Sequence, residues 1–197
     1  MMRRLFKLLL HAIAVLLVSP AIVLAWIEQA LSKSEQVFVF FAQALAPMPG
    51  YPGVLLRAAY YWATTPGTSF EIHVGFGSVL VHRKTTLRAR ASMGAYCVIG
   101  HADIGEQVMM GSRVSVPSGK RQHLDEDGQL STTAGQFDTV KIGRGTWVGE
   151  GAIIMADVGA QCIVSSGAIV TRAAPDRVAL AGNPARVIKE LAANPTE

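Results

Sequence analysis

Apolar residues follow two different rhythms along this chain. From Leu8 to Ile27 the run "LLLHAIAVLLVSPAIVLAWI" places 20 residues together without one Asp, Glu, Lys or Arg. As a helix this run rises about 30 Å, the thickness of a bilayer's hydrocarbon core. A second apolar stretch, "VFVFFAQALAPMPGYPGVLLRAAYYW", is interrupted by Pro47, Pro49, Gly50, Pro52 and Gly53. Its first limb, Val37 to Ala46, makes only about 15 Å of helix and cannot cross a membrane alone. From about Phe70 the rhythm changes to a count of six. Val81, Leu87, Met93 and Ile99 are each six apart, and Ile104, Met110 and Val116 follow at five, six and six. Ile142, Val148 and Ile154 resume the count, and Val158, Val164 and Val170 follow at four, six and six. Glycine often comes directly after the aliphatic residue, as at Gly94, Gly100, Gly105, Gly111, Gly143, Gly149 and Gly159.

A helix repeats every 3.6 residues and a half-buried strand every two, so a count of six fits neither. A short fixed period is the mark of stacked coils. Three hexads make one triangular turn of a parallel β-helix, each aliphatic points into a narrow core, and the small neighbour permits the corner. The four-residue step from Ile154 to Val158 requires a shortened corner. Between Pro117 and Lys141 the count stops, and the polar segment "PSGKRQHLDEDGQ" carries a histidine. A coil can expel such a loop at a corner and resume on the other side. The expected organisation is a membrane-associated helical region over 1–66, a β-helix over 67–189 with a loop at 117–141, and a tail at 190–197.

Composition supports the first part of this division. Half of the residues are hydrophobic and only 16% are charged, which is apolar for a soluble domain. The net charge of +4 is not gathered into a Lys/Arg stripe with interleaved aromatics, so nucleic acid is not an expected partner. Cys97 and Cys162 lie far apart, have no metal-type spacing, and read as buried small hydrophobes. No metal site is expected. Within the apolar N-terminal part, Pro20 is expected to bend the first helix. A cleaved signal peptide is the rival reading, with Val23 and Ala25 as the cleavage pattern. Arg57 and the aromatics Tyr60, Tyr61 and Trp62 suit a membrane interface; the other reading packs these rings on the domain that follows.

The closing segment "IGRGTWVGEGAIIMADVGAQCIVSSGAIVTRAAPDRVALAGNPARVIK" resembles the last coils of the hexapeptide-repeat acyltransferases. It is most similar to the sugar O-acetyltransferases of the colanic acid, maltose and nodulation type. The match runs over roughly residues 90 to 189, and "AGNPARVIK" is its most specific piece. The resemblance implies a left-handed β-helix, a homotrimer, and acetyl-CoA or another acyl-CoA in the groove between neighbouring prisms. It places the catalytic base on the expelled loop, at His123. A neutral imidazole titrating near 6.5 can take the proton of an attacking hydroxyl as the new bond forms. The resemblance puts Gly149, Ser166 and Gly167 along the pantetheine arm, Thr171, Arg172 and Arg186 near the nucleotide phosphates, and Trp147 near the groove. For the glycines, corner geometry alone is an equal alternative. Asp125, Glu126, Asp127 and Asp138 are candidates to orient the imidazole.

One departure stands out. Many sugar acetyltransferases carry an Asn one or two coils before the histidine, and here that region reads "GAYCVIG". The acceptor class therefore stays open between a saccharide or lipid-linked saccharide and another lipid or amine. The donor stays open between a short acyl-CoA and a longer acyl or carrier-protein thioester. A trimeric scaffold without chemistry is a further alternative. An acyl-CoA donor is cytosolic, and Arg3, Arg4 and Lys7 favour a cytoplasmic N-terminus. The expected location is the bacterial inner membrane, with membrane lipid as a partner and the β-helix on the cytoplasmic side. Leu8–Ile27 must then not carry the domain across. Either Pro20 makes a re-entrant turn, or Val37–Trp62 returns as a broken segment with Arg57 and the Tyr60–Trp62 aromatics at the interface.

Overall fold

A computed structural model describes residues 2–119, 122, 123, 127, 129, 130 and 137–192, with side chains from Lys7 onward. Three helices come first: α1 (Met2–Leu31), α2 (Gln36–Leu45) and α3 (Gly50–Thr64). Fourteen short strands then wind parallel coils, and a fifteenth closes the far end. One face, sheet A, stacks β1 (His73–Val74), β4 (Ser92–Met93), β7 (Met109–Met110), β10 (Trp147–Val148), β12 (Ile163–Val164) and β14 (Val178–Gly182). Sheet B stacks β2 (Val79–Leu80), β5 (Val98–Ile99), β8 (Ser115–Val116), β11 (Ile153–Ile154) and β13 (Ile169–Val170). Sheet C stacks β3 (Thr86–Leu87), β6 (Ala102–Ile104) and β9 (Val140–Ile142), and bridges from Ile142 to Val158 and from Val158 to Ala174 extend it. The result is the parallel β-helix that the count of six predicts, with the left hand that the resemblance implies.

Each strand contributes one inward residue per face, and these form a continuous dry column: Val74, Leu80, Leu87, Met93, Ile99, Ile104, Met110, Val116, Ile142, Val148, Ile154, Val158, Val164 and Val170. The sequence count needs one correction. Leu80, fully buried on β2, is the inward residue, and Val81 lies just past that strand at the corner. The step from Leu80 to Leu87 is therefore seven, not six. Sheet A to sheet B is always six residues from inward side chain to inward side chain, as from Val74 to Leu80, Met93 to Ile99 and Val148 to Ile154. Sheet C to sheet A is also six, as from Leu87 to Met93 and Ile142 to Val148. Every departure falls between sheet B and sheet C, at Leu80–Leu87, Ile99–Ile104, Val116–Ile142 and Ile154–Val158. One edge of the prism takes up all the irregularity.

The helices close the first coil. α3 lies on it through two polar contacts, made by Arg57 and Tyr61. Arg57, expected at a membrane interface, is instead buried. Its Nε donates to Val74 O at 2.9 Å, and one terminal nitrogen donates to Leu45 O, Ala46 O and Met48 O at 3.1, 3.1 and 2.8 Å. A guanidinium has enough donors to satisfy the last carbonyls of α2 and the first coil together. Tyr61, also expected at the interface, accepts from Leu80 N–H at 3.1 Å, and Tyr60 donates to Phe38 O at 2.9 Å. Both rings are fully buried, so they pack on the domain; Trp62 remains exposed. Pro20 neither breaks nor turns α1. It withdraws the N–H that would bond Leu16 O, and the Ser19 hydroxyl donates to that carbonyl at 2.8 Å instead. A re-entrant turn at Pro20 is thereby excluded, and the chain reverses after Leu31.

Two glycines separate two reasons for their presence. A Cβ on Gly143 would fall on the backbone of Gly159 and Ala160 in the next coil, so the close approach requires glycine. Gly151 has φ +67° with nothing within 4 Å of its missing Cβ, so only its conformation favours glycine. Gly151→Ala should cost about 1–2 kcal/mol of left-handed strain. Gly143→Ala should cost clearly more, because two coils must separate. Thermal unfolding of the two variants, followed by circular dichroism, checks the order.

Candidate functional site

The irregular B–C edge carries most of the polar chemistry. The loop leaves it after β8 and returns before β9, and its neck is closed by Asp138 N–H donating to Ser118 O at 3.0 Å. His123 sits on this loop with an exposed side chain. Asp127 and Asp138 are likewise exposed, while Asp125 and Glu126 lie outside the described residues. Thr171 and Arg172 follow β13 and stand on the same edge.

The other expected donor-site residues lie elsewhere. Trp147 projects outward from β10, in register with Met109 and Ile163, and is 45% exposed. Gly149, Ser166 and Gly167 form turns on the A–B edge. A Cβ on Gly149 would fall on Ser166 N in the next coil, so coil stacking by itself demands a glycine there. Gly167 has φ +70° and open space beside it. Arg186 is on β15 (Ala185–Glu190), which pairs antiparallel with β14 at the end of the prism. In a single chain the residues expected around an acyl donor are thus divided among two edges and the closing strand.

The structure adds a cluster that sequence reasoning passed over. His82 and His101 occupy the B–C edge in adjacent coils, with ring centroids 4.3 Å apart. Phe137, on the returning limb of the loop, packs against both at 5.3 and 5.5 Å. Glu35, in the linker between α1 and α2, joins its Oε2 to His82 Nδ1 at 2.9 Å and accepts Arg83 N–H at 3.1 Å on Oε1. Arg83 donates to Glu28 Oε2 at 2.7 Å, and Glu28 also accepts from Val37 N–H and Phe38 N–H at the start of α2. The two histidines were legible only as ordinary corner residues. Their relation to Glu35 is a contact 47 positions long, which no local spacing reports. An open groove of about 400 Å³, lined by Val39, Phe40, Val81, Glu35 and His82, runs beside this cluster. A cavity of about 280 Å³ under α1, lined by Leu10, His11, Tyr51, Phe70 and Arg90 among others, faces sheet A instead and is remote from the loop. Among the described residues no group of three His, Cys, Asp or Glu side chains converges as a metal site would.

Burial holds the His101 imidazole below its ordinary value of 6.5, and the neighbouring His82 lowers it further. Burial on its own would raise the Glu35 carboxyl. Hydrogen bonds from His82 and the Arg83 N–H, with the charges of both, overcome that and leave it below the usual carboxylate value. Both shifts stabilise the fold above the unfolded-state pKa values and are lost on acidification. Stability should start to fall as the pH drops through about 6.5, when the unfolded histidine protonates and the folded one does not. A second loss should follow below the ordinary carboxylate range, as Glu35 protonates in the fold. His101→Gln should lessen the first loss, which His73 shares, and Glu35→Gln should lessen the second, which Glu28 shares, in unfolding midpoints measured across pH 3 to 8.

No family model matches the chain, and no curated protein matches it. Solved structures do. A maltose O-acetyltransferase from Clostridium difficile 630 aligns over 81% of this chain and 87% of its own, at 21% identity and a TM-score of 0.58. The hexapeptide-repeat acetyltransferase VCA0836 from Vibrio cholerae aligns over 83% and 96%, at 16% identity and a TM-score of 0.62. AntD, an N-acyltransferase from Bacillus cereus solved with coenzyme A and dTDP-4-amino-4,6-dideoxyglucose, aligns over 62% and 71%, at 17% identity and a TM-score of 0.53. The fold of this chain is the one these acyltransferases use, as the hexad pattern and the "AGNPARVIK" ending imply.

Proposed function

We propose that this chain is a membrane-associated acyltransferase, which moves an acetyl or other acyl group from CoA to a hydroxyl of a saccharide or lipid-linked saccharide. The observation that carries the reading is a histidine-bearing loop at the one edge of the prism that breaks register, on a fold shared with CoA-dependent acyltransferases. His123 is exposed and free to meet a bound acceptor. In the reaction the acceptor oxygen attacks the thioester carbonyl while the imidazole takes its proton. The C–S bond then breaks, and the imidazolium returns that proton to the departing thiolate. No acyl-enzyme is formed, so no Ser or Cys nucleophile is required; Cys97 and Cys162 are buried.

The donor is read onto Trp147 on sheet A, Gly149, Ser166 and Gly167 on the A–B edge, and Thr171 and Arg172 on the B–C edge, with Arg186 on the closing strand. A homotrimer unites them, because the A–B edge of one copy then faces the B–C edge of its neighbour across a shared groove. A guanidinium suits the CoA phosphates. The groove beside His82 favours an acceptor with a lipid part, since its apolar wall is built from α2 and adjoins the apolar N-terminal helix. The proposed location is the cytoplasmic face of the bacterial inner membrane, where the donor is made. The expected support is the helix over Lys7–Leu31, with a mean hydropathy of 2.6 and length enough to cross a membrane.

His123→Ala should leave the oligomer and its thermal unfolding unchanged and lower turnover by about 10²-fold or more, the usual contribution of a positioned base. Release of CoA from acetyl-CoA, with glycan and lipid extracts as acceptors, measures it; near-normal turnover of the variant would leave another base as the correct reading, and no turnover by the unaltered chain would favour the scaffold. The shared groove has its own test. Mixed oligomers of His123→Ala chains and Gly149→Trp chains, each inactive alone, should recover part of the activity, and an active monomer in sedimentation would exclude the shared site.

A further inference from the structure

The direction of α1 follows from two contacts far apart along it. Near its start, His11 packs on Phe70 with ring centroids 5.3 Å apart, just before β1 on the sheet A side. Near its end, Glu28 pairs with Arg83 at 2.7 Å, on the B–C edge between β2 and β3. Seventeen residues of helix separate His11 from Glu28, about 25 Å. Both of these partners belong to the first turn of the β-helix. A helix continuing the prism axis, or crossing a bilayer away from the domain, could keep only one end in that turn. α1 therefore lies across the end of the prism, from one face to the opposite edge.

One side of α1 meets the rest of the chain: Ala14, Val18, Ala21, Ile22 and Ala25 are buried, along with Glu28. The other side carries Leu9, Ile13, Leu16, Leu17, Leu24 and Ile27, all between 46% and 72% exposed. No charged residue interrupts it, and exposed Lys7 and Lys33 stand at its two ends. A helix that is apolar all round needs an apolar medium on every side, and none of the described residues covers the outer half. We infer that α1 is an in-plane anchor: it lies in one leaflet of an anionic phospholipid bilayer, outer face in the acyl chains and flanking lysines at the headgroups. Interfacial helices bind in this way, sunk about 5–10 Å. The inference rests on the proposed membrane association and replaces a crossing helix with one that does not cross. It leaves the N-terminus and the β-helix on the same side of the membrane without any return segment. The prism then stands with its first coil at the headgroups, and the groove between α2 and His82 opens at that level.

The test uses the full chain on vesicles of phosphatidylethanolamine and phosphatidylglycerol. Flotation is measured first, then the immersion depth of a nitroxide on single cysteines at positions 9, 16 and 24; Cys97 and Cys162 are buried and stay unlabelled. Expected are flotation, similar depths at all three sites, and equal reactivity of an N-terminal tag and of Asp127→Cys to an impermeant reagent. Leu16→Glu with Leu17→Glu should weaken vesicle binding by at least about tenfold, with the thermal unfolding of the β-helix unchanged. Flotation with a deep position 16, shallow positions 9 and 24, and the tag and loop on opposite sides would overturn the in-plane helix and leave membrane association standing. Absence of flotation would overturn both. A larger oligomer in buffer with these nitroxides shielded would assign the face to second copies of the chain and overturn the lipid partner.

Discussion

The structure depends on coils laid directly upon coils, with backbone touching backbone. Each turn must send its N–H groups to the carbonyls of the next and deliver one aliphatic per face to the shared column. Gly143 against Ala160 and Gly149 against Ser166 show how little space remains: at neither place is there room for a methyl group. Two edges of the prism obey this constraint with an invariant six residues. The third is released from it, with steps of four, five and seven and one long excursion. An edge already irregular can change length without shifting register elsewhere, because the next strand re-enters the column at Ile104, Ile142 or Val158. That freedom is why the loop, both stacked histidines and Arg172 share one line.

The helical cap solves a second problem of the same kind. The first coil has no coil before it to take its backbone groups or cover its core. α3 supplies that cover with Tyr61 on Leu80 N–H and Arg57 on Val74 O. The chain of buried Glu28 and Arg83 and half-buried Glu35 and His82 fastens the other corner and ends beside His101 and the loop residue Phe137. Pairing is what makes these charges tolerable away from water; removing one partner would strand the other. The same contacts join the end of the prism that carries the apolar helix to the edge that carries His123. The proposed membrane contact and the proposed chemistry are thereby neighbours in one chain, which suits an acceptor held at a lipid surface.

The division of the proposed donor-site residues has a physical reading as well. Gly149, Ser166 and Gly167 lie on one edge and Thr171 and Arg172 on another, with Trp147 on the face of sheet A, since a triangular prism turns its edges apart by construction. On the proposed function, a groove that uses both is completed by a second copy. The outward column Met109, Trp147 and Ile163 on sheet A, each more than a third exposed, offers apolar surface of the kind such an assembly buries.

Much of this was written in the sequence. The hexad count determined the coiled β-helix, because only one repeating side-chain direction lets Met93, Ile99 and Ile104 reach a common column. Its interruption marked the loop, and the length of Leu8–Ile27 marked a helix able to span or lie upon a membrane. Tertiary structure decided what depends on distant partners. It moved the inward position from Val81 to Leu80, since the neighbouring coil and not the count selects which of two adjacent aliphatics turns in. Arg57 and Tyr61 went from an expected interface to the buried cap, because backbone carbonyls of α2 and an amide of the first coil were waiting for them. Pro20 stayed within a continuous helix, since Ser19 answers the carbonyl it leaves. And His82, an unremarkable corner residue by its neighbours in sequence, became part of a cluster only when Glu35 was folded against it from the far side of α2.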